Sequence, residues 1–275
     1  MIPKPLPEYD SAKIRWLGWD EVVELLRFRD LLKLFILNSL KTRYKRSFLG
    51  VFWTLLNPLL TMTVLALAFS GLFRFSLKNY AVYLLAGLIF WNFFSQTTNT
   101  AMNAIVWGGG LIRKVYIPRS IFSLSALGSE LINLLLSLIP LLLIMIFMNQ
   151  PFRPALWFLP IAIILMGIFA LGISLFISTL ALLFVDTAYI YQILLMAWFY
   201  LTPIIYPAEI LPLSLLHYQR FNPMYHLVDL FRRPIFQGVV PDPGQILASA
   251  LFAFLSLAIG WYVFTRNADK FAYHI

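Results

Sequence analysis

Few side chains in this sequence could do acid–base or metal chemistry, and those that could are isolated from one another. The 275 residues include no cysteine, three histidines and twelve acids. Glu130 is the only acid well inside an apolar segment, apart from Asp186 at a turn. A carboxylate in such a segment is costly and has to face protein or water. It either lines a polar path, pairs with a basic group or is protonated; a proton relay would need further acids nearby, and the sequence offers none.

The sequence contains no GxxxxGK[ST] pattern, so it has no phosphate-binding loop of its own. The glycines at 108–110 lack the Lys-Ser or Lys-Thr that would follow in such a loop, and they are better interpreted as the end of a helix. A membrane transferase needs clustered acids, His or Arg. A secondary transporter usually shows an internal repeat and charged midplane sites. The sequence shows neither pattern, so both classes are weaker alternatives, and any energy must come from a partner.

The composition indicates a protein that crosses a membrane several times. Hydrophobic residues make up 61% of the chain, charged residues only 12%, and the mean hydropathy is +0.81, whereas a soluble domain has about 25% charged residues. The net charge of +9 is better explained by contact with anionic lipid than by nucleic acid. The N-terminus has no apolar run after its charges, so we expect no cleavable signal peptide.

Six uncharged or nearly uncharged runs each approach or exceed the roughly 20 residues that a helix needs to cross about 30 Å of hydrocarbon. The sequence therefore predicts an all-α protein with six spans, at 51–73, 79–107, 120–147, 156–185, 187–206 and 245–265. Fifteen Lys and Arg lie before the first span, in the loop 108–119 or in the tail, and six lie on the other side. The positive-inside rule then places both termini in the cytoplasm. The predicted parts are a cytoplasmic segment 1–50, a six-span domain 51–265 and a cytoplasmic tail 266–275.

The N-terminal segment has two apolar arcs that one straight helix cannot bury together. Val22, Val23, Leu25 and Leu26 share one face, and the apolar arc after Phe28 lies roughly opposite. We therefore expect an amphipathic interfacial helix with a break near residues 28–30. Asp30 is expected to cap the second piece.

The segment 207–244 is too polar to span twice, yet it contains apolar stretches. Its six prolines divide it into pieces too short to cross. We expect short helices that dip into the outer leaflet and satisfy their own backbone hydrogen bonds. The alternative is an ordinary external loop.

Four motifs in order now define a resemblance: RYKRSFLGVFWTLLNP before and within the first span, GGGLIRKVYIPRSIF in the second cytoplasmic loop, FVD at 184–186, and NPMYHLVDLFRRPIFQG at 222–238. Together they resemble the ABC-2 type polysaccharide and polyol phosphate export permeases, the membrane subunits of O-antigen, teichoic acid and capsule exporters. Within that family the chain is most similar to the O-antigen lipopolysaccharide permeases.

The resemblance implies a homodimer of six-span subunits in the bacterial inner membrane, docked to two copies of a cytoplasmic ATPase that holds the ATP and Mg. It implies no cofactor or metal on this chain and no catalytic residue. The expected cargo is a glycan on undecaprenyl diphosphate. The coupling helix matches the loop residues Arg113, Lys114, Tyr116, Ile117, Pro118 and Arg119, with a second, smaller contact at Asp186. The family often has Arg where this chain has Val185, and plain positive-inside anchoring is the alternative for the loop.

Aromatic residues make up 17% of the chain, and sugar C–H groups stack well on aromatic faces. The candidates for a glycan path are Trp53, Trp91, Tyr189, Tyr191, Trp198 and Tyr200. An interfacial aromatic belt is the alternative, and it fits Trp53, Tyr189 and Tyr191 as well as the path does. Trp91 and Trp198 lie deeper in their spans and are the better path candidates.

The resemblance places an external gate at 222–238, with candidate residues Asn222, Pro223, Asp229, Arg232 and Arg233. Asp229 can pair with either arginine across one helical turn. The functional alternative is that the arginines contact a lipid-linked diphosphate or acidic sugars. The wider alternatives for the chain are an ABC-2 permease for teichoic acid, capsule, a lipid, haem or a drug, and the stand-alone transferase or secondary transporter considered above.

Overall fold

Helices and their connections account for all the residues that the computed structural model describes, which are 19–45, 47–69, 71, 77–108 and 117–267. Within these ranges there is no β-strand, so the all-α prediction is confirmed. Short 3-10 helices at Pro154–Phe158 and Ala208–Ile210 precede α6 and α8. The α-helices in chain order are α1 (Trp19–Arg27), α2 (Arg29–Tyr44), α3 (Phe52–Phe69), α4 (Leu77–Trp107), α5 (Ser120–Phe147), α6 (Leu159–Leu183), α7 (Thr187–Leu201), α8 (Leu213–Gln219), α9 (Pro223–Phe236) and α10 (Pro243–Arg266).

Each of the six predicted spans corresponds to one helix: α3, α4, α5, α6, α7 or α10. Four helical segments of the described chain are long and apolar enough to cross a membrane: Phe52–Phe69, Ser120–Phe147, Pro154–Leu183 and Pro243–Arg266. The 15 residues of α7 extend about 22 Å at 1.5 Å per residue, short of the hydrocarbon thickness. The 31-residue α4 is long enough, but amide side chains interrupt its apolar surface. The count of six spans therefore stays a prediction.

The bundle is organised around α4 and α6, with α10 lying along α6 over much of its length. Their backbones touch because small residues occupy the crossing. A Cβ on Gly172 would lie 2.5 Å from the carbonyl oxygen of Ser256, and one on Gly260 would lie 2.8 Å from the carbonyl carbon of Gly172. Ser256 adds a hydrogen bond, its hydroxyl donating to the Phe169 carbonyl at 3.1 Å. Small residues four apart on facing helices are a common way to bring membrane helices into close contact.

This close contact predicts that Gly172→Ala destabilises the fold by about 1–3 kcal/mol, because the new methyl group has no space between the two backbones. The matched control is Gly167→Ala on the same helix, where the nearest atom to an added Cβ is Leu127 Cδ1 at 3.8 Å. That control should be neutral or slightly stabilising, because alanine favours helix more than glycine does. The thermal unfolding midpoint of the purified protein in detergent measures both variants. Equal midpoints for Gly172→Ala and the wild type would contradict the contact.

The N-terminal helices α1 and α2 pack on the bundle at the start of α5. Their apolar residues pack against a buried cluster that includes Ile121 and Phe122 of α5, and Ile36 Cδ1 comes so close to α5 that a Cβ on Gly128 would lie 2.5 Å from it. The predicted break is confirmed, because α1 ends at Arg27 and α2 begins at Arg29. The contacting residues of α1, α2 and the turn between them are Leu25, Phe28, Leu31, Leu32 and Phe35.

The prediction that Asp30 caps α2 is wrong. Phe28 occupies the cap position and makes no side-chain capping hydrogen bond, and its carbonyl accepts from Leu32 N at 2.9 Å. Asp30 lies one residue inside the helix, where its carboxylate contacts Lys33 Nζ at 3.5 Å. A carboxylate in the first turn still interacts favourably with the helix dipole.

Candidate functional site

A buried ion pair joins α2 to the middle of the bundle. The Glu130 side chain is 3% exposed and that of Arg43 is 33% exposed. The guanidinium donates two hydrogen bonds to the carboxylate, Nη1 to Oε2 at 3.1 Å and Nη2 to Oε1. Burial disfavours the charge on Arg43, but the hydrogen bonds and the negative charge of Glu130 outweigh it and raise the pKa of the guanidinium. The sequence left three interpretations of Glu130 open, and the structure shows that it pairs with a basic group.

Neighbouring polar groups satisfy the rest of this pair and extend it to α3 and α4. Asn133 Nδ2 donates to Glu130 Oε2 at 2.9 Å, and Thr100 Oγ1 donates to Oε1 at 3.4 Å. The Tyr44 hydroxyl donates to Asn133 Oδ1 at 2.9 Å and also bonds the Thr54 hydroxyl. A buried ion pair is tolerated when additional hydrogen bonds occupy its remaining lone pairs and protons. The network therefore fixes α2, α3, α4 and α5 relative to one another.

A cavity of about 310 Å³ opens beside this network. It lies between α2, α3, α4 and α5, and most of its lining is polar or aromatic. The lining residues from α3 and α4 that matter below are Trp53, Asn57, Asn92 and Gln96.

At the other end of α4, Arg232 of α9 is 5% exposed and holds the chain that follows α7. Its Nη1 donates to the Pro203 carbonyl at 2.8 Å, and its Nη2 donates to the Ile204 carbonyl at 3.1 Å. The guanidinium carbon lies 3.7 Å from the centroid of the Tyr83 ring, a cation–π contact. Gly87 leaves the space for this arginine, since a Cβ there would lie 3.2 Å from its guanidinium carbon and would overlap Nη2.

The acidic residue of α9 pairs with the other arginine. Arg233 Nε donates to Asp229 Oδ2 at 2.8 Å, and its Nη1 donates to Asp242 Oδ2 at 2.9 Å. Gln245 Nε2 donates to the same Asp229 oxygen at 2.6 Å. Of the two pairings that the sequence left open, the described residues show Asp229 with Arg233, while Arg232 binds backbone carbonyls.

Asn222 connects the two ends of the segment between α7 and α9. Its Oδ1 accepts from Met224 N at 3.1 Å, which caps α9, and from Trp198 Nε1 at 2.8 Å. Its Nδ2 donates to Thr202 Oγ1 at 3.0 Å and to Gln219 Oε1 at 3.1 Å. Pro223 follows at the first position of α9, where its missing N–H costs nothing. One side chain thus ties the end of α7 to the start of α9.

Comparison with known proteins places this arrangement in a family. The family model described as "ABC-2 type transporter" matches residues 30–236. The chain belongs to the ABC-2 type transporter family. It is 30% identical over 245 residues to the O-antigen export system permease protein RfbA of Klebsiella pneumoniae, covering 88% of this chain and 94% of the relative. It is 30% identical over 261 residues to the RfbA permease of Myxococcus xanthus, covering 91% and 97%. The polysialic acid transport protein KpsM of Escherichia coli is 25% identical over 238 residues, covering 85% and 92%.

The residues of this ABC-2 chain that the sequence assigned to a glycan path fall into two groups. Trp91 and Tyr191 are buried, at 6% and 5% exposure, and Trp91 lies 6.4 Å from the partly buried Trp198, centroid to centroid. Phe94 and Phe169 complete this aromatic cluster. Within one chain Trp91 and Trp198 pack in this cluster and Tyr191 is buried, so their part in a path stays a prediction. The exposed path candidates are Trp53, Tyr189 and Tyr200.

The predicted coupling loop of this ABC-2 chain is described only in part. Arg113, Lys114 and Tyr116 lie outside the described residues. Ile117 and Pro118 are buried and Arg119 is partly exposed at the start of α5; nearby, Glu21 of α1 accepts a hydrogen bond from Ser120 N at 3.3 Å. Asp186 is exposed at the turn between α6 and α7, beside Val185, which is 87% exposed. An exposed apolar residue at such a turn is compatible with a partner contact.

Sequence reasoning missed the partner of Glu130 and the two tyrosines of α4 that bind the chain after α7. Tyr80 donates to the Ile205 carbonyl at 2.7 Å, and Tyr83 donates to the Tyr206 carbonyl at 3.0 Å. It also missed the amides of α4 at positions 92, 96, 99 and 103. Their spacing of three or four residues places them on one helix face, and that signal is present in the sequence.

The ion pair predicts that Glu130→Ala destabilises the protein by about 3–5 kcal/mol, because it leaves the Arg43 charge half-buried without a partner. The matched control is Asp30→Ala, which removes an exposed pair with Lys33 and should change stability by less than about 1 kcal/mol. Thermal unfolding in detergent compares the two variants. Similar small losses in both would show that the Arg43–Glu130 pair contributes no more than a surface pair.

The Arg232 contacts predict that Gly87→Ala loosens the segment after α7, because the added methyl group displaces the guanidinium from its two carbonyls. Limited trypsin digestion of the purified protein measures this as faster cleavage after the exposed Arg220. Gly244→Ala is the control, since no atom lies within 4 Å of its added Cβ. Cleavage at the wild-type rate in Gly87→Ala would contradict the assigned role of Gly87.

Proposed function

We propose that this chain is the membrane permease subunit of an ATP-driven exporter that moves a lipid-linked polysaccharide of the O-antigen type across the bacterial inner membrane. The observation that carries the proposal is similarity over nearly the full length of both proteins to permeases named for O-antigen export. The weaker similarity to a polysialic acid transport protein supports a glycan cargo in general. The carrier lipid is expected to be undecaprenyl diphosphate.

The chain is proposed to act as a homodimer with six spans per subunit and with both termini in the cytoplasm. Two copies of an ATPase subunit supply ATP hydrolysis, since this sequence contains no phosphate-binding loop. The loop before α5 and the Asp186 turn are the proposed contacts with that ATPase. ATP binding would close the ATPase subunits, move these contacts and part the two permease subunits to open a central path.

The segment 207–244 is proposed to form a re-entrant external gate. Its helix α9 packs against α4, α6 and α10, and the rings of Phe231 and Phe90 stack with centroids 4.3 Å apart. With 14 residues, α9 extends about 21 Å and is too short to cross the hydrocarbon. A short helix packed into the bundle fits a re-entrant element better than an ordinary external loop.

If this chain is deleted, we expect loss of the surface polysaccharide and accumulation of the lipid-linked polymer inside the cell, because the polymer is no longer exported. The test is a deletion in the native organism, with surface polymer detected by antibody and the intracellular lipid-linked polymer by gel. Complementation with the wild-type chain should restore export. Unchanged surface polymer in the deletion strain would contradict the proposed function.

The coupling loop predicts that Arg119→Ala lowers export while the chain still inserts, because a contact to the ATPase is weakened. We expect the ATPase activity of the purified complex to become independent of glycan export. Tyr116→Ala is expected to have the same effect. Lys33→Ala is the control, because it removes an exposed cation near the start of α2. Normal export in both loop variants would show that this loop does not couple the ATPase to export.

A further inference from the structure

Two side-chain amides lie near the middle of α4, where an amide without a hydrogen-bond partner costs free energy. Asn92 and Gln96 are near the middle of this 31-residue helix, and their side-chain amides make no hydrogen bond to another described residue. By contrast, Asn103 Nδ2 donates to the Asn99 carbonyl at 2.9 Å. Asn99 Nδ2 donates to the Ser95 carbonyl at 3.0 Å, while its buried Oδ1 has no partner among the described residues. Polar groups within a membrane are expected to face protein, water or a ligand.

The same two amides line the 310 Å³ cavity, together with groups from three other helices, α2, α3 and α5. Asn57 of α3 is exposed, with Thr61 Oγ1 3.4 Å from its Oδ1. Trp53, one turn earlier, is half exposed. Asn133 and Ser137 of α5 form the buried side. The cavity volume is at the lower end of the range of about 300–1,000 Å³ for small-ligand pockets.

The charge of the lining favours a neutral ligand. Arg43 and Glu130 are its charged members and they neutralise each other in a hydrogen-bonded pair, so no unpaired charge is left among the described lining residues. A phosphate or a cation would have to break that pair. The amides of Asn57, Asn92 and Gln96 offer both donors and acceptors. The indole of Trp53, which is half exposed, offers a stacking surface for C–H groups.

We propose that this amide-lined cavity between α2, α3, α4 and α5 binds a neutral sugar ring of the exported glycan. Asn57, Asn92 and Gln96 hydrogen-bond the ring hydroxyls, and Trp53 stacks against one ring face. The proposal rests on the proposed function and adds to it a binding site within a single subunit. It also places the polar contacts of the glycan on amides, where the sequence suggested aromatic residues alone.

Photo-cross-linking in the native organism tests contact directly. p-Benzoylphenylalanine replaces Trp53, an aromatic residue of the cavity, and in a separate strain it replaces Phe52, which is exposed on α3 but does not line the cavity. After illumination during active glycan synthesis, the purified chain is probed with an antibody to the native polymer. We expect adducts from position 53 at no less than about five times the yield from position 52. Equal yields, or no adduct from an export-competent position-53 strain, would overturn the proposal.

Leucine variants provide a test that does not depend on the cross-linker. Gln96→Leu and Asn92→Leu each remove a hydrogen bond to the ring. The double variant should therefore lower the export rate about thirtyfold at unchanged protein level, using about 1 kcal/mol per bond and about 1.4 kcal/mol per factor of ten. Asn103→Leu is the matched control, because it is an amide of the same helix outside the cavity. Equal export in the double variant and the control would overturn the proposal.

Different results would overturn the exporter function and the sugar site. If deletion of the chain leaves surface polymer unchanged, the exporter function is wrong. If export depends on the chain but the leucine variants export normally, the exporter function stands and the sugar site is wrong.

Discussion

The buried carboxylate of Glu130 is the constraint on which the arrangement of the N-terminal half depends. An ionised carboxylate inside an apolar helix needs a cation and enough hydrogen-bond donors to replace water. Arg43 supplies the cation from a helix that precedes the first apolar segment, and Asn133 and Thr100 supply further donors. Because Tyr44 bonds both Asn133 and Thr54, the same contact sets where α3 begins relative to α5. The helix α2 is therefore part of the bundle.

A comparable arrangement holds the opposite end of α4. At residues 202–207, directly after α7, the backbone is not helical, and its carbonyls need other donors. Arg232, Tyr80 and Tyr83 provide them, while Gly87 provides the space. One helix thus contacts the N-terminal network at one end and the proposed gate at the other. Asn92 and Gln96 lie between these two ends, next to the cavity.

The sequence predicted those features that depend on local pattern. The helix class, the break between α1 and α2 and the pairing of Asp229 with one of the two arginines three and four residues away all follow from spacing along the chain, and the structure confirms them. The family was predicted from four ordered motifs and is confirmed. The predicted cap at Asp30 was wrong by helix register: a cap there requires α2 to begin at Leu31, but it begins at Arg29, two residues earlier.

Features that depend on contacts between distant residues could not be predicted. Arg43 and Glu130 are 87 positions apart, and ten cations precede the first apolar run, so spacing gave no way to select the partner. Arg232 was not distinguishable from Arg233, because both lie within one turn of Asp229. Trp91 lies near the middle of α4, but only the fold shows that neighbouring aromatic rings cover it. The subunit contacts and the ATPase partner are proposals for the same reason.

The most direct test of the central claim is purification of the tagged chain from its native membrane in several mild detergents, with identification of the proteins that copurify. We expect a stoichiometric protein that carries a GxxxxGK[ST] phosphate-binding loop and hydrolyses ATP. A stable complex without any ATP-binding protein in every detergent would contradict it. The chain would then have to act as a stand-alone transporter or enzyme despite its family.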